Sequence, residues 1–102
     1  MELKRQIDGN RRQSTRIVLS IPVKAKLQGP AGNQEFQSVV TRDISNRGAF
    51  FITRSPFPLA SQLQMILDMG KMLVKAVGSV VRVDADGMAV AFTNADVAVV
   101  RT

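Results

Sequence analysis

Two short runs hold the residues able to do chemistry. In Asn10-Arg11-Arg12-Gln13-Ser14-Thr15-Arg16, the arginines Arg12 and Arg16 stand at i and i+4, with Arg11 beside the first. A guanidinium is permanently charged, and its planar fork matches phosphate oxygens or the O6/N7 edge of guanine in a bidentate manner. If the segment is extended, Arg12 and Arg16 lie about 13 Å apart on one side. If it curls, they are neighbours. Either shape lets two cations grip one anionic ligand. Further along comes Asp43-Ile44-Ser45-Asn46-Arg47-Gly48. On a strand end Asp43 and Ser45, at i and i+2, share a face. A carboxylate there can accept the N1–H and N2–H groups of a guanine, and the hydroxyl can both donate and accept. Gly48 permits a backbone angle that other residues resist and leaves room for close approach.

Each run also has a plain reading. The arginines fit solvated charges flanking a strand, and Asp, Ser, Asn and Gly are turn residues in any protein. Their joint occurrence, in this order and on this strand pattern, is the more specific signal.

The rest of the inventory narrows the chemistry. The chain has no His, Cys, Tyr or Trp. General acid–base catalysis at neutral pH usually recruits His or a tuned carboxylate. A serine nucleophile here would have only Lys or Asp as its base. Metal sites lack their commonest ligands, and Asp84 and Asp86 fit a hairpin turn better than a metal. No catalytic residue and no cofactor are assigned. The chain reads as a binding module, not an enzyme.

With 102 residues the chain is long enough for one domain with one modest core. Hydrophobic residues make up 45% and charged residues 22%, the composition of a globular protein. Without Cys there is no disulfide framework. No apolar run approaches the roughly 20 residues of a membrane helix, so membrane insertion is not expected. The N-terminal residues lack the apolar stretch of a signal peptide, and a cytoplasmic location follows as the expectation. The net charge is +6, with Lys4, Arg5, Arg11, Arg12 and Arg16 crowded into the first sixteen residues. Such a surface attracts anions without saying which.

The elements that must position these residues are strands. Residues 1–15 lack lasting periodicity and read as a basic, flexible arm that carries the start of the arginine pair. Residues 16–102 read as the folded domain. From Arg16 onward Ile17, Leu19, Ile21, Val23, Ala25 and Leu27 alternate with other residues, the mark of a half-buried strand. Pro22 on its outer face implies an unpaired or bulged edge. Further strands are expected over about residues 35–44, over 49–53 (apolar on both faces), through Leu63, Met65, Leu67 and Met69, over 71–83, and through Met88, Val90 and Phe92. Gly78 implies a bulge or bend. Asp84-Ala85-Asp86-Gly87 implies a hairpin turn. Asn94 is expected to cap a short C-terminal helix. Six short strands with tight turns favour a small antiparallel barrel over a sandwich.

On these residues the chain resembles the PilZ domain family of bacterial cyclic di-GMP receptors. Arg12-Gln13-Ser14-Thr15-Arg16 matches the family's Arg-x-x-x-Arg element. Asp43-Ile44-Ser45-Asn46-Arg47-Gly48 matches its Asp/Asn-x-Ser-x-x-Gly element. Gly48-Ala49-Phe50-Phe51, Gly78-Ser79-Val80-Val81-Arg82-Val83 and Met88-Ala89-Val90-Ala91-Phe92 also agree, so that the likeness spans roughly residues 10–98.

The resemblance implies a six-stranded antiparallel β-barrel with a C-terminal helix, binding cyclic di-GMP on its outer surface. Arg12 and Arg16 would clamp phosphates and guanine edges, assisted by Arg11. Asp43 and Ser45 would read a guanine, and Gly48 would shape the loop. The arm would fold over the ligand and signal to an effector protein that the sequence does not name. Motility, exopolysaccharide production and biofilm control are the processes such receptors serve. The chain departs from the family in its short segment after Asn94. It also offers no Tyr or Trp to stack on a guanine, which leaves arginine stacking as the expected means. Two other functions stay open: a PilZ-like protein-interaction module that leaves the nucleotide site unused, and a basic barrel for single-stranded nucleic acid. The latter wants aromatic platforms on a groove face. The five Phe sit mostly at apolar positions instead.

Overall fold

Period-two alternation decides which side of each strand is wet. In β2 (Pro22–Leu27) Val23 and Ala25 are buried while Pro22 and Lys24 are exposed. In β5 (Gln62–Asp68) Leu63, Met65 and Leu67 are buried, and Gln62 and Gln64 face out. The same logic runs through β3 (Gln37–Ser45) and the middle of β6 (Met72–Asp84), whereas β4 (Gly48–Ile52) is buried on both faces from Gly48 to Phe51; β7 (Gly87–Val100) and a two-residue β1 (Ile17–Val18) complete the set. The computed structural model describes residues 16–29 and 35–100, with backbone alone for residues 98–100.

All pairings are antiparallel, in the order β1-β3-β2-β5-β6-β7-β4, and β4 also pairs with β3. The last pairing closes six of the strands into a barrel, with β1 appended to β3 beyond the end of β2. Closure removes the sheet edges that would otherwise need protection. The interior is filled by side chains from all six barrel strands, among them Val23, Val39, Phe51, Leu63, Met65, Val80 and Met88.

The first expected strand is one run in sequence and two pieces in space. It breaks at residues 19–21, and β2 begins at Pro22, the strand position where a missing N–H costs least. Thr41 fills the break. Its hydroxyl donates to the Leu19 carbonyl and accepts from the Ile21 N–H at 2.9 Å, while its own N–H reaches the Ile21 carbonyl at 3.1 Å. Ile17 and Leu19 are consequently 56% and 44% exposed, where strict alternation buries them.

Among the described residues the expected C-terminal helix is not found. Residues 94–97 continue β7, with Asn94 opposite Val77, Ala95 opposite Ala76, Asp96 opposite Lys75 and Val97 opposite Val74. A helix there would strip β6 of its partner and leave a row of backbone groups without hydrogen bonds. The strand also sets Asp96 against Lys75, a favourable cross-strand pair, and suits the β-branched Val97. The local capping signal at Asn94 loses to this pairing.

The other landmarks hold. The β6–β7 register shifts between Val77 and Gly78, as the glycine implied. A Cβ at Gly78 would stand 2.4 Å from the Ala91 carbonyl oxygen. In the β6–β7 hairpin Asp84 accepts from the N–H of Asp86 at 2.9 Å and of Gly87 at 3.3 Å.

Candidate functional site

The site is built on a break in the β3 register. Thr41 faces Phe51 and Asp43 faces Phe50, so Arg42 is an extra residue with no register partner on β4. A bulge of this kind sends two consecutive side chains to the same side of the sheet, opposite one on the partner strand. Thr41 and Phe51 point inward and are fully buried. Arg42 and Asp43 then lie with Phe50 on the outer face. A second register break, between Val80 and Arg82 on β6, does the same near Ala89, the β7 residue that pairs with Phe50. The two irregularities therefore align Asp43, Phe50, Ala89 and Arg82 in one row across β3, β4, β7 and β6.

Phe50 is 2% exposed, yet it is not part of the interior cluster. Its cover is cationic. The Arg42 guanidinium lies over the ring 4.0 Å from its centroid, and that of Arg82 at 5.7 Å. The Asp43 carboxylate next to this ring is nearly buried and doubly held. Oδ1 accepts from Arg16 Nη1 at 2.5 Å, and Oδ2 accepts from Arg42 Nε at 3.0 Å. Arg16 and Arg42 keep more than half and half of their side chains in solvent, respectively. Arg82 also approaches Asp84 at 3.7 Å. Three guanidinium groups around two carboxylates leave this surface net positive, and so receptive to an anion.

Ser45 sits two residues beyond Asp43 on the same outward face, at the end of β3. Its hydroxyl accepts from the Arg47 N–H at 3.1 Å and lies 3.5 Å from the Gly48 carbonyl oxygen. The Arg47 carbonyl in turn accepts from the Phe92 N–H at 2.8 Å, tying the β3–β4 turn to β7. Gly48 opens β4 in the row facing Ala91, where a Cβ would stand 2.2 Å from the Val90 carbonyl oxygen. Its φ is not positive. Close approach of β7, rather than an unusual backbone angle, is what requires glycine here.

Of the residues the sequence singled out, the structure brings Arg16, Asp43 and Ser45 to one outer surface, with Gly48 beneath it. Arg11 and Arg12 lie outside the described residues, as does the arm that carries them. Sequence reasoning missed Arg42, Phe50 and the place of Arg82. On an unbroken strand Arg42 and Asp43 face opposite ways, so only the bulge makes them neighbours. An arginine inside the valine-rich run of β6 was the one visible hint.

A separate groove of about 450 Å³ lies on the outer surface of β2, β5, β6 and β7, lined by Lys26, Phe36, Ile66, Lys75, Asn94 and Asp96 among others. It shares no residue with the Asp43 row. No cluster of three or more metal-ligating side chains occurs among the described residues. No helix among them is long and apolar enough to cross a membrane.

A family model described as PilZ domain matches residues 10–102, essentially the whole chain. No protein with a curated description matches the chain.

Proposed function

This chain belongs to the PilZ domain family, a cyclic di-GMP-binding family of receptor domains rather than of enzymes, and on that premise we propose that it is itself a receptor for cyclic di-GMP. The observation that carries the reading is the doubly held Asp43 carboxylate on a net-positive outer surface, with Arg16 on one oxygen.

In this reading Arg12 and Arg16 clamp phosphates and guanine edges, with Arg11 assisting. Asp43 accepts the N1–H and N2–H groups of one guanine, and Ser45 adds a hydroxyl beside it. Each oxygen of Asp43 already accepts from one arginine, so the guanine edge competes with these cations for the carboxylate. The guanine edge displaces Arg16 from Oδ1, and the freed cation turns to the ligand's phosphate while Arg42 stays on Oδ2. Charge-assisted hydrogen bonds are worth about 1.5–3 kcal/mol each, so a swap of like for like leaves the phosphate contacts as the net gain. Arg16 then links the arm to the barrel in two alternative ways, to Asp43 without ligand and to phosphate with it. Ordering of the arm over the ligand is the signal passed to an effector protein.

The test is calorimetric titration with cyclic di-GMP, using GMP and cyclic di-AMP as controls, on the parent protein and on Arg12→Ala, Arg16→Ala and Asp43→Ala. Saturable binding selective for cyclic di-GMP is expected, weakened at least about tenfold in each variant, or 1.4 kcal/mol. Variants that bind like the parent would remove these residues from the site. A folded parent that binds none of the three nucleotides would leave the domain as a protein-interaction module.

A further inference from the structure

We infer that Arg42 is the stacking surface of this site: its guanidinium, backed by the Phe50 ring, takes a purine face of the bound nucleotide. The inference rests on the cyclic di-GMP reading above and names a residue which that reading leaves without a role.

Three observations converge on Arg42. The β3 bulge turns it to the same side as Asp43, so any ligand that reaches the carboxylate passes over it. Its plane is held from two directions, by the Nε hydrogen bond to Asp43 at 3.0 Å and by the Phe50 ring 4.0 Å below. That separation is close to the van der Waals distance of two stacked planes. Half of the side chain nevertheless remains in solvent, and since Phe50 lies against one side of the guanidinium, a ligand has to approach it from another. A guanidinium fixed in this way loses little side-chain freedom when a flat ring settles on it. The chain has no Tyr or Trp, and Phe50 is itself 2% exposed and out of a ligand's direct reach. Phe50 thus serves as the support and Arg42 as the contact. A supporting role for the ring accounts for a large apolar side chain on the outside of the barrel.

The alternative for Arg42 is a simple charge contact to phosphate. A lysine would preserve that charge but not the planar surface. Arg42→Lys, Arg42→Ala and Phe50→Leu are therefore titrated with cyclic di-GMP beside the parent, with the thermal midpoint of each recorded. Arg42→Lys is expected to bind about tenfold more weakly than the parent and close to Arg42→Ala, at an unchanged midpoint, since base stacking is lost in both. Phe50→Leu is expected to weaken binding in the same direction. In the parent, NMR signals of the Arg42 Cδ protons should move upfield on saturation, under the ring current of the purine. A phosphate contact gives no such upfield shift. Parent-like affinity in Arg42→Lys, or an absence of upfield shift in a saturated parent, overturns the inference while the receptor reading stands. Should a variant not fold, the parent's own shifts decide. A parent that does not bind cyclic di-GMP removes the receptor reading and this inference together.

Discussion

Thr41 shows how one hydroxyl holds a strand break together. It is fully buried, and it serves the Leu19 carbonyl and the Ile21 N–H where the pairing along β3 is interrupted between β1 and β2. Thr41→Val keeps the shape and removes both bonds, leaving two backbone groups without partners. A loss of about 1–3 kcal/mol in urea unfolding is expected. Thr41→Ser keeps the hydroxyl and sheds one methyl, and should cost about 1 kcal/mol. If Val is as stable as the parent, water reaches these groups and the hydroxyl is dispensable. Gly48 carries a second prediction at this scale. A methyl there meets a backbone oxygen that belongs to β7 and cannot rotate away. Gly48→Ala should destabilise the fold by about 1–3 kcal/mol or more, as overpacking does. Any loss of ligand affinity in this variant then has to be read after stability has been measured.

At the scale of elements the decisive feature is β7, paired to β6 over nearly its whole length and to β4 at its start. Its last turns were legible as a helix, since Asn94 followed by Ala95 and Asp96 is a fair N-cap. The same residues are legible as a strand once β6 is in place, and a helix of about two turns is marginal on its own. NMR should show strand-type Cα and Cβ shifts for residues 94–97 and a cross-strand contact between Ala76 and Ala95. Helical shifts there would mean that the β6 edge is open. Most strands were visible in the alternation of their residues, and the β6–β7 hairpin in its Asp and Gly. The bulge at Arg42 was not. A bulge is a mismatch between two strands, and neither β3 nor β4 alone contains it.

The whole molecule joins a closed barrel to a cationic outer surface. The strands around the Asp43 row, β3 and β4, are paired on both sides, so the ligand has little of the scaffold to reorganise, and binding should show as added stability. At a ligand concentration of 100 times Kd the linkage amounts to about 2.7 kcal/mol. For a domain of this size that raises the unfolding midpoint by roughly 10 °C or more. Differential scanning calorimetry with cyclic di-GMP checks it, and an unmoved midpoint at saturating ligand counts against selective binding to the folded state. With a net charge of +6 and an anionic ligand, the affinity should also fall as salt is raised. The groove lined by Lys26, Phe36 and Lys75 lies apart from the Asp43 row, so Lys75→Ala should leave cyclic di-GMP affinity within about twofold, since distant sites act independently.

By itself the sequence determined the all-β class, most strand positions, the charge of the surface and the two motifs on which the family reading rests. These follow from residue type and local period, which act before any long-range contact is made. Only the tertiary structure decided that the first strand breaks at Thr41, that the chain ends its described course as a strand, and that Arg42, Asp43, Phe50 and Arg82 form one surface. Each of these depends on the register between strands far apart in sequence, and register is set by the closure of the barrel as a whole.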